Sequence, residues 1–505
     1  MKILAKSSVL IIILSLVLWS CKKDEVVVVE EIKEASDVHK FIYDAMATWY
    51  LWVDNVPALT NSKFENKDSL NVFLNQKKYT DPENLFLDLL YQYKTIDKWS
   101  FIVDDYAEID NWVQGISQSM GFEFGLAYLN QTDERVVGYV QYVLKGSPAA
   151  KAGMKRGDLF LTIDGQQLTA SNYSDLLFSK LNYTMGLATY TGSSLVLSGK
   201  SFTMTAVDLQ ENPILLDTIL NVSGLKVGYL VYNGFNGSYD KTISSSYDIE
   251  LNKVFLKFKN AGINKLILDL RYNGGGAITS TIYLASMIYS TDTKKVFSRL
   301  QHNNLVQAYL KQEYGDTYFN DYFTGKIDKT DDMPETPINS LGLTDLYVIT
   351  TSRTASASEL LINGLKPYLN LKQVGSSTTG KYVGSYTLKD YDNNGNLNAS
   401  HKYALQPITL KIANSLGVSD FKNGLEPSIS ASEDIVRLKP FGSQDEEMLK
   451  ACINDIKGTK SAVAFSGTRY RELGTLKGNS PFSQLMYYDS DKIRNLTGNS
   501  LKSAR

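Results

Sequence analysis

The sequence predicts a multidomain α+β protein: a helical N-terminal domain, a small β domain, and an α/β core with crossover helices that ends in a β-rich segment. Three observations predict it. The chain has 505 residues, too many for one ordinary core at ~150 residues per domain. Its apolar pattern changes twice, from helical spacing to short strands near residue 112, then to strand–helix alternation from Gly224. Its composition, 43% hydrophobic and 21% charged, supplies enough apolar material for sizeable cores.

The first twenty residues read as a targeting segment, outside the fold. Lys2 and Lys6 precede an apolar run from Val9 to Leu18, which is short for a membrane span. The run ends in "LWSC", which resembles a bacterial lipobox and implies a signal peptide over 1–20 with lipidation of Cys21. The "KKDE" that follows resembles the tags of surface lipoproteins. The expected location is therefore the outer membrane, on its periplasmic or cell-surface face. Cys21 and Cys452 are the only cysteines, so an acylated Cys21 leaves no intrachain disulfide.

Residues 21–35 read as a tether and 36–110 as the helical domain. In "VHKFIYDAMATWYLW" the residues Phe41, Ala45, Trp49 and Trp52 recur near helical spacing until Asn55 and Pro57. No chemistry is apparent there, and "DKWSFI", Asp97 to Ile102, reads as a structural junction.

Residues 112–207 alternate short strands with turns. "GSPAAKAGMKRGD" followed by "LFLTIDGQQL" resembles a PDZ domain, which implies binding of an extended C-terminal peptide as an added strand. The matching peptide-binding loop is Gly121, Phe122, Glu123 and Phe124.

Residues 222–440 form the core. Buried strands such as "KLILDL" and "DLYVITTS" alternate with helices, which implies crossovers and a largely parallel sheet. Beyond Lys381 the pattern turns β-rich. Residues 441–505 form a C-terminal extension with no assigned role.

Charge and histidine content narrow the chemistry. With 52 basic and 54 acidic residues the net charge is −2, so nothing points to nucleic acid. Only His39, His302 and His401 exist, which leaves little for imidazole catalysis or a His-ligated metal; no metal or cofactor is expected.

"GSSTTGKY", Gly375 to Tyr382, satisfies the glycine-rich phosphate loop G-x-x-x-x-G-K. A nucleotide site would need Ser or Thr after the lysine and a helix opening there. This chain has Tyr382 and a β-branched, aromatic run, so no nucleotide is expected. Upstream, "SRTASASELL" places tiny residues where a strand gives way to a helix. Ser356 and Glu359 fit a capping box.

Together "ILDLRYNGGGAI", "ITTSRTASASE" and "VGSSTTGK" resemble, in order and spacing, the C-terminal processing (tail-specific) serine peptidases, Bacteroidetes-type lipoproteins among them. The resemblance covers roughly residues 40–440. It implies that Ser356 is the nucleophile and Lys381 the general base, with Thr354 where the family's first serine would stand. It implies an oxyanion hole from Ala357 and either Gly275 or Gly276. Where many members carry a glutamine four residues after the lysine, this chain has Ser385, a possible lysine-orienting group. The chemistry is coherent on its own terms. A serine needs a base, and a lysine serves only when burial lowers its pKa toward 7–8. "SSTTGKYVG" carries no carboxylate to hold the charge. The expected activity is endopeptidase cleavage of unfolded or C-terminally exposed polypeptides, with the PDZ domain recognising free C-termini. The alternative is a catalytically weak or inactive peptide- or ligand-binding lipoprotein on the same fold.

Overall fold

The computed structural model describes residues 32–130, 134–237, 246–329, 334–392, 394–459, 470–474 and 481–488. The targeting segment, the tether up to residue 31 and Cys21 lie outside the described residues.

The first helix, Asp37–Trp49, starts where the Ser36 side chain accepts the His39 N–H, and buries Ile42, Tyr43, Met46 and Trp49 on one face. That face does not close a core of its own. It joins the apolar cluster that also holds Leu410, Ile412 and Tyr386 from the far end of the chain, and Trp49 meets Tyr386 edge to face at 5.6 Å. Leu51 N donates to Ile408 O, and Asn303 Nδ2 donates to Thr48 O and Tyr50 O. The helical region is thus fused to the core, which carries Asp97–Ser100 to the core's working end.

The β domain is a sheet ordered Phe122–Tyr128, Val136–Val143, Leu159–Ile163, Asn182–Tyr190 and Leu195–Thr205, all neighbours antiparallel. It encloses a separate core around Phe124, Val140, Phe160, Leu176 and Met185. Strand Phe122–Tyr128 is its edge. The "GD" at the end of "GSPAAKAGMKRGD" forms a turn at Gly157, whose φ of +88° suits glycine.

Arg156 beside that turn clamps the domain to the core. Its Nη2 meets Glu433 at 2.5 Å and its Nε donates to Lys439 O. Glu433 in turn pairs with fully buried Arg271, which also binds Asp269 and Glu446. Both arginines beside Glu433 hold its carboxyl down at about 2 against the cost of burial.

The core is built on a sheet ordered Ile214–Val222, Leu225–Tyr232, Lys265–Asp269, Asp345–Thr350, Asn370–Gly375 and Ile429–Ser430, parallel except for the first pair. Side chains alternate along each strand. Leu266 and Leu268 face helices Ser246–Ala261, Ile278–Ile288 and Ala357–Leu365. Ile267 faces Met448, Leu449, Cys452 and Ile453 of helix Glu447–Ile456. The extension's first helix therefore covers the sheet's second face, which the sequence reading left unassigned.

A second sheet runs Gly276–Ala277, Met486–Tyr488, Val383–Tyr386, Ile408–Asn414, Val296–His302 and Asn320–Tyr322. Its second member comes from the far C-terminal extension.

Candidate active site

Three loops leave the carboxyl ends of neighbouring parallel strands, the place where open α/β sheets bind ligands. They are 270–276, 351–356 and 376–382. Cross-bonds fix them to one another: Thr354 Oγ1 donates to Leu270 O at 2.8 Å, Ser358 Oγ to Asn273 O at 3.1 Å and Thr379 N to Thr354 O at 3.0 Å. The Thr354 hydroxyl is used as a tie.

Ser356 is the N-cap of helix Ala357–Leu365, with φ 65° and ψ −117°. A non-glycine residue in that region is strained by ~1–3 kcal/mol and persists where the surroundings over-determine it. A serine on a sharp strand-to-helix turn is the arrangement of a nucleophile elbow. Ser356 is 0% exposed, and its Oγ has no hydrogen-bond partner among the described residues. An unpartnered buried hydroxyl costs ~1–3 kcal/mol. Ser356 and Glu359 stand in the capping-box arrangement, yet Ser356 Oγ completes no hydrogen bond in it, whereas the Glu359 carboxylate does accept Ser356 N.

Glu359 is where capping and site meet. Its Oε2 accepts Ser356 N and Lys381 N, both at 2.8 Å, while Oε1 accepts Gly380 N at 2.7 Å and Thr378 Oγ1 at 2.5 Å. The amides of the phosphate-loop look-alike thus point at a carboxylate of the chain itself. The loop leads into strand Val383–Tyr386, not a helix. Burial raises the Glu359 carboxyl, and the four hydrogen bonds oppose that rise.

Lys381 is 1% exposed. Burial brings it from 10.5 down to about 7, against the pull of Asp97 and Glu359, so desolvation outweighs two carboxylates. Its Nζ donates to Gln484 O at 2.7 Å and lies 5.8 Å from the Trp99 ring centroid. Two contributors were not legible in the sequence. Asp97 and Trp99 belong to the supposed junction, where Asp97 accepts from Tyr50 Oη at 2.8 Å and Ser100 Oγ at 2.6 Å. Ser385 is bonded elsewhere: its Oγ donates to Met486 O at 3.3 Å and accepts from Gln406 Nε2 at 2.9 Å. It lies along the strand that Lys381 leads into, and a short hydroxyl there is spent on its cross-strand neighbours. Among the described residues, the acceptor of the Lys381 Nζ hydrogen bond is the Gln484 carbonyl.

Gly275, at φ +119°, closes the site. A Cβ built on it would lie 2.7 Å from Ser356 Cβ, 3.1 Å from Ala357 N and 2.8 Å from Leu485 O. Only glycine lets this turn approach the helix N-terminus so closely. Gly275 N donates to Asn273 Oδ1, and Gly276 pairs with Met486. Ala357 N, the first amide of the helix, and the Gly275–Gly276 turn are thereby brought together beside Ser356.

In the β domain, the Gly121 amide donates to Ser119 Oγ, and Phe122, Glu123 and Phe124 begin the edge strand. Arg353, three residues before Ser356, reaches this loop. Its Nη1 donates to Gln141 Oε1 at 2.7 Å and lies 3.4 Å from Glu123 Oε1 and Phe124 O. A cleft of about 390 Å³ lies between the two domains here, lined by Gln141, Tyr272, Arg353, Ser377, Glu433 and Glu472 among others.

The chain matches the family model of peptidase family S41 over residues 226–422, that of the peptidase S41 N-terminal domain over 37–101 and that of the PDZ domain over 139–179. The chain belongs to peptidase family S41. It is 25% identical over 248 residues to a chloroplastic C-terminal processing peptidase of Tetradesmus obliquus, covering 47% of this S41 chain and 46% of that protein. It is 24% identical over 243 residues to a protein assigned as a CtpA-like serine protease in Staphylococcus aureus, covering 48% and 41%. The chain thus spans less than half the length of these curated relatives. A crystal structure of a protein assigned as an S41 protease from Bacteroides fragilis shares the fold, with a TM-score of 0.63 and 24% identity over 83% of this chain and 97% of that one.

Proposed function

We propose that this S41 protein is a serine endopeptidase working through Ser356 and Lys381. The observation that carries the reading is a strained serine with a buried, unpartnered hydroxyl, bound through one Glu359 oxygen to a lysine whose charge burial disfavours.

Neutral Lys381 takes the Ser356 Oγ proton as Oγ bonds to the scissile carbonyl carbon. The carbonyl oxygen becomes an oxyanion, held by the Ala357 amide and the Gly275–Gly276 turn. Lys381 then passes the proton to the leaving nitrogen as the C–N bond breaks. The acyl-enzyme ester is cleaved by a water that Lys381 deprotonates, and the proton returns to Ser356.

The substrates are unfolded or C-terminally exposed polypeptides, received as an added strand at the PDZ edge. The chain is exported and anchored by lipid on Cys21. The test is a serine-reactive fluorophosphonate followed by peptide mass spectrometry. Modification at Ser356, lost in Lys381→Ala, is expected; a folded protein left unmodified at Ser356 both at full length and after removal of residues 464–505 would overturn the reading. Palmitate incorporation, lost in Cys21→Ala, tests the anchor.

A further inference from the structure

The far C-terminal extension occupies both places where a polypeptide substrate would lie. Residues 470–473 sit on the PDZ edge. Tyr128 N donates to Arg471 O and Leu473 N to Leu126 O, both at 2.8 Å, and Ala127 and Glu472 form an antiparallel bridge between them. Leu473 packs against the PDZ core, and the Arg471 guanidinium lies 4.2 Å from the Tyr128 ring centroid. The register runs this segment toward the Gly121–Phe124 loop, the direction in which a bound C-terminus would point.

Residues 484–488 run through the catalytic cleft. Met486–Tyr488 form a strand between Gly276–Ala277 and Val383–Tyr386, parallel to both. Gln484 O takes the hydrogen bond of Lys381 Nζ, and Leu485 O lies against Gly275, which also packs on Ser356 Cβ. Leu485 and Tyr487 are buried with Ala277. The strand position between the two loops is therefore filled, and Lys381 Nζ is bonded to a carbonyl of the tail, with Ser356 Oγ left unpartnered.

We infer that residues 470–474 and 484–488 act as an intramolecular pseudosubstrate, which holds the PDZ groove with Leu473 and the catalytic cleft with Gln484–Tyr488, so that a foreign polypeptide enters only when these residues leave. This rests on the peptidase reading for its consequence, but the occupancy stands apart from catalysis. The order of the two contacts explains why the segment inhibits. A tail substrate held by its C-terminus in the PDZ groove would place an upstream residue at Ser356. Here the PDZ-bound residues precede those in the cleft. Tethering gives the segment an effective concentration of about millimolar, so a foreign chain of equal intrinsic affinity displaces it only on approaching about millimolar concentration.

The test uses a fluorescent peptide copying residues 468–490, with binding read by anisotropy. In a Ser356→Ala background, the chain ending at residue 463 should bind it at least tenfold more tightly than the full-length chain. A second arm keeps the chain at full length. Ala127 and Glu472 are a cross-strand pair flanked by the two ladder bonds, so their Cα atoms sit close enough for a disulfide. The doubly substituted Ala127→Cys, Glu472→Cys protein, with Ser356 intact, should cleave a denatured protein at least tenfold more slowly oxidised than reduced. Equal peptide binding by folded shortened and full-length chains would overturn the inference. So would a shortened chain that fails to fold while the oxidised and reduced full-length proteins cleave alike. Tight peptide binding by the shortened chain with no cleavage by any form would keep the pseudosubstrate and discard the peptidase.

Discussion

Ser356 and Lys381 are joined through a single atom: the backbone N–H of each donates to Oε2 of Glu359 at 2.8 Å. A residue that a capping box would explain is also the one that sets the Ser356 loop against the Lys381 loop. Glu359→Gln puts an amide where up to four donors converge, and one or two of them lose their acceptor at ~1–3 kcal/mol each. The expected result is a drop in kcat of roughly a hundredfold with KM little changed, since misplacing reacting groups by an ångström costs about that much. Steady-state kinetics and thermal unfolding on the same samples check it.

The pH dependence follows from Lys381. Only neutral lysine accepts the serine proton, so kcat/KM should rise with pH and level off above about 7. The same group affects stability. In the unfolded chain it titrates near ~10.4, so between about 7 and 10.5 the unfolded state holds more protons than the folded one, and stability rises with pH. Lys381→Met should therefore be more stable than wild type at neutral pH, with the advantage shrinking as pH climbs through that window. Urea unfolding at pH 7 and pH 10 measures it.

Asp97 is the foremost charge opposing the fall in the lysine's pKa. Asp97→Asn removes the charge and leaves one acceptor oxygen for the four donors, from Tyr50, Trp99 and Ser100, that the carboxylate's two oxygens now serve. The midpoint of the pH–rate profile should move below 7. An unmoved midpoint would separate the helical region from the chemistry.

Strain at Ser356 predicts a difference between two variants that lack its hydroxyl. Glycine relieves φ 65°, whereas alanine does not, and glycine is also the better N-cap. Ser356→Gly should unfold at higher denaturant than Ser356→Ala, by about 1 kcal/mol.

Much of this site was legible because its signals are local. The glycines after "LRYN", the tiny residues of "RTASASE" and the "GD" turn of the β domain each need one backbone geometry, and short motifs record that need. The strand–helix alternation likewise gave the parallel sheet. What escaped was long-range. No carboxylate stands in "SSTTGKYVG", yet Glu359 reaches its amides from 22 residues upstream. Asp97 and Trp99 come to Lys381 only because the helical region shares the core's apolar cluster. Gln484 arrives from 103 residues downstream, in an extension whose strand is too short to leave a period of its own. Ser385 was assigned by its offset from the lysine, but the neighbouring Gln406 and Met486 O claim its hydroxyl.

The central claim is that Ser356 and Lys381 act as one catalytic unit. The most direct measurement follows cleavage of a denatured protein by mass spectrometry from pH 5 to 10, with the wild type, Ser356→Ala and Lys381→Ala side by side. Cleavage by the wild type alone is expected, with a rate rising through a single titration near 7. Cleavage that persists in folded Lys381→Ala, or a wild-type rate flat across that range, would contradict it.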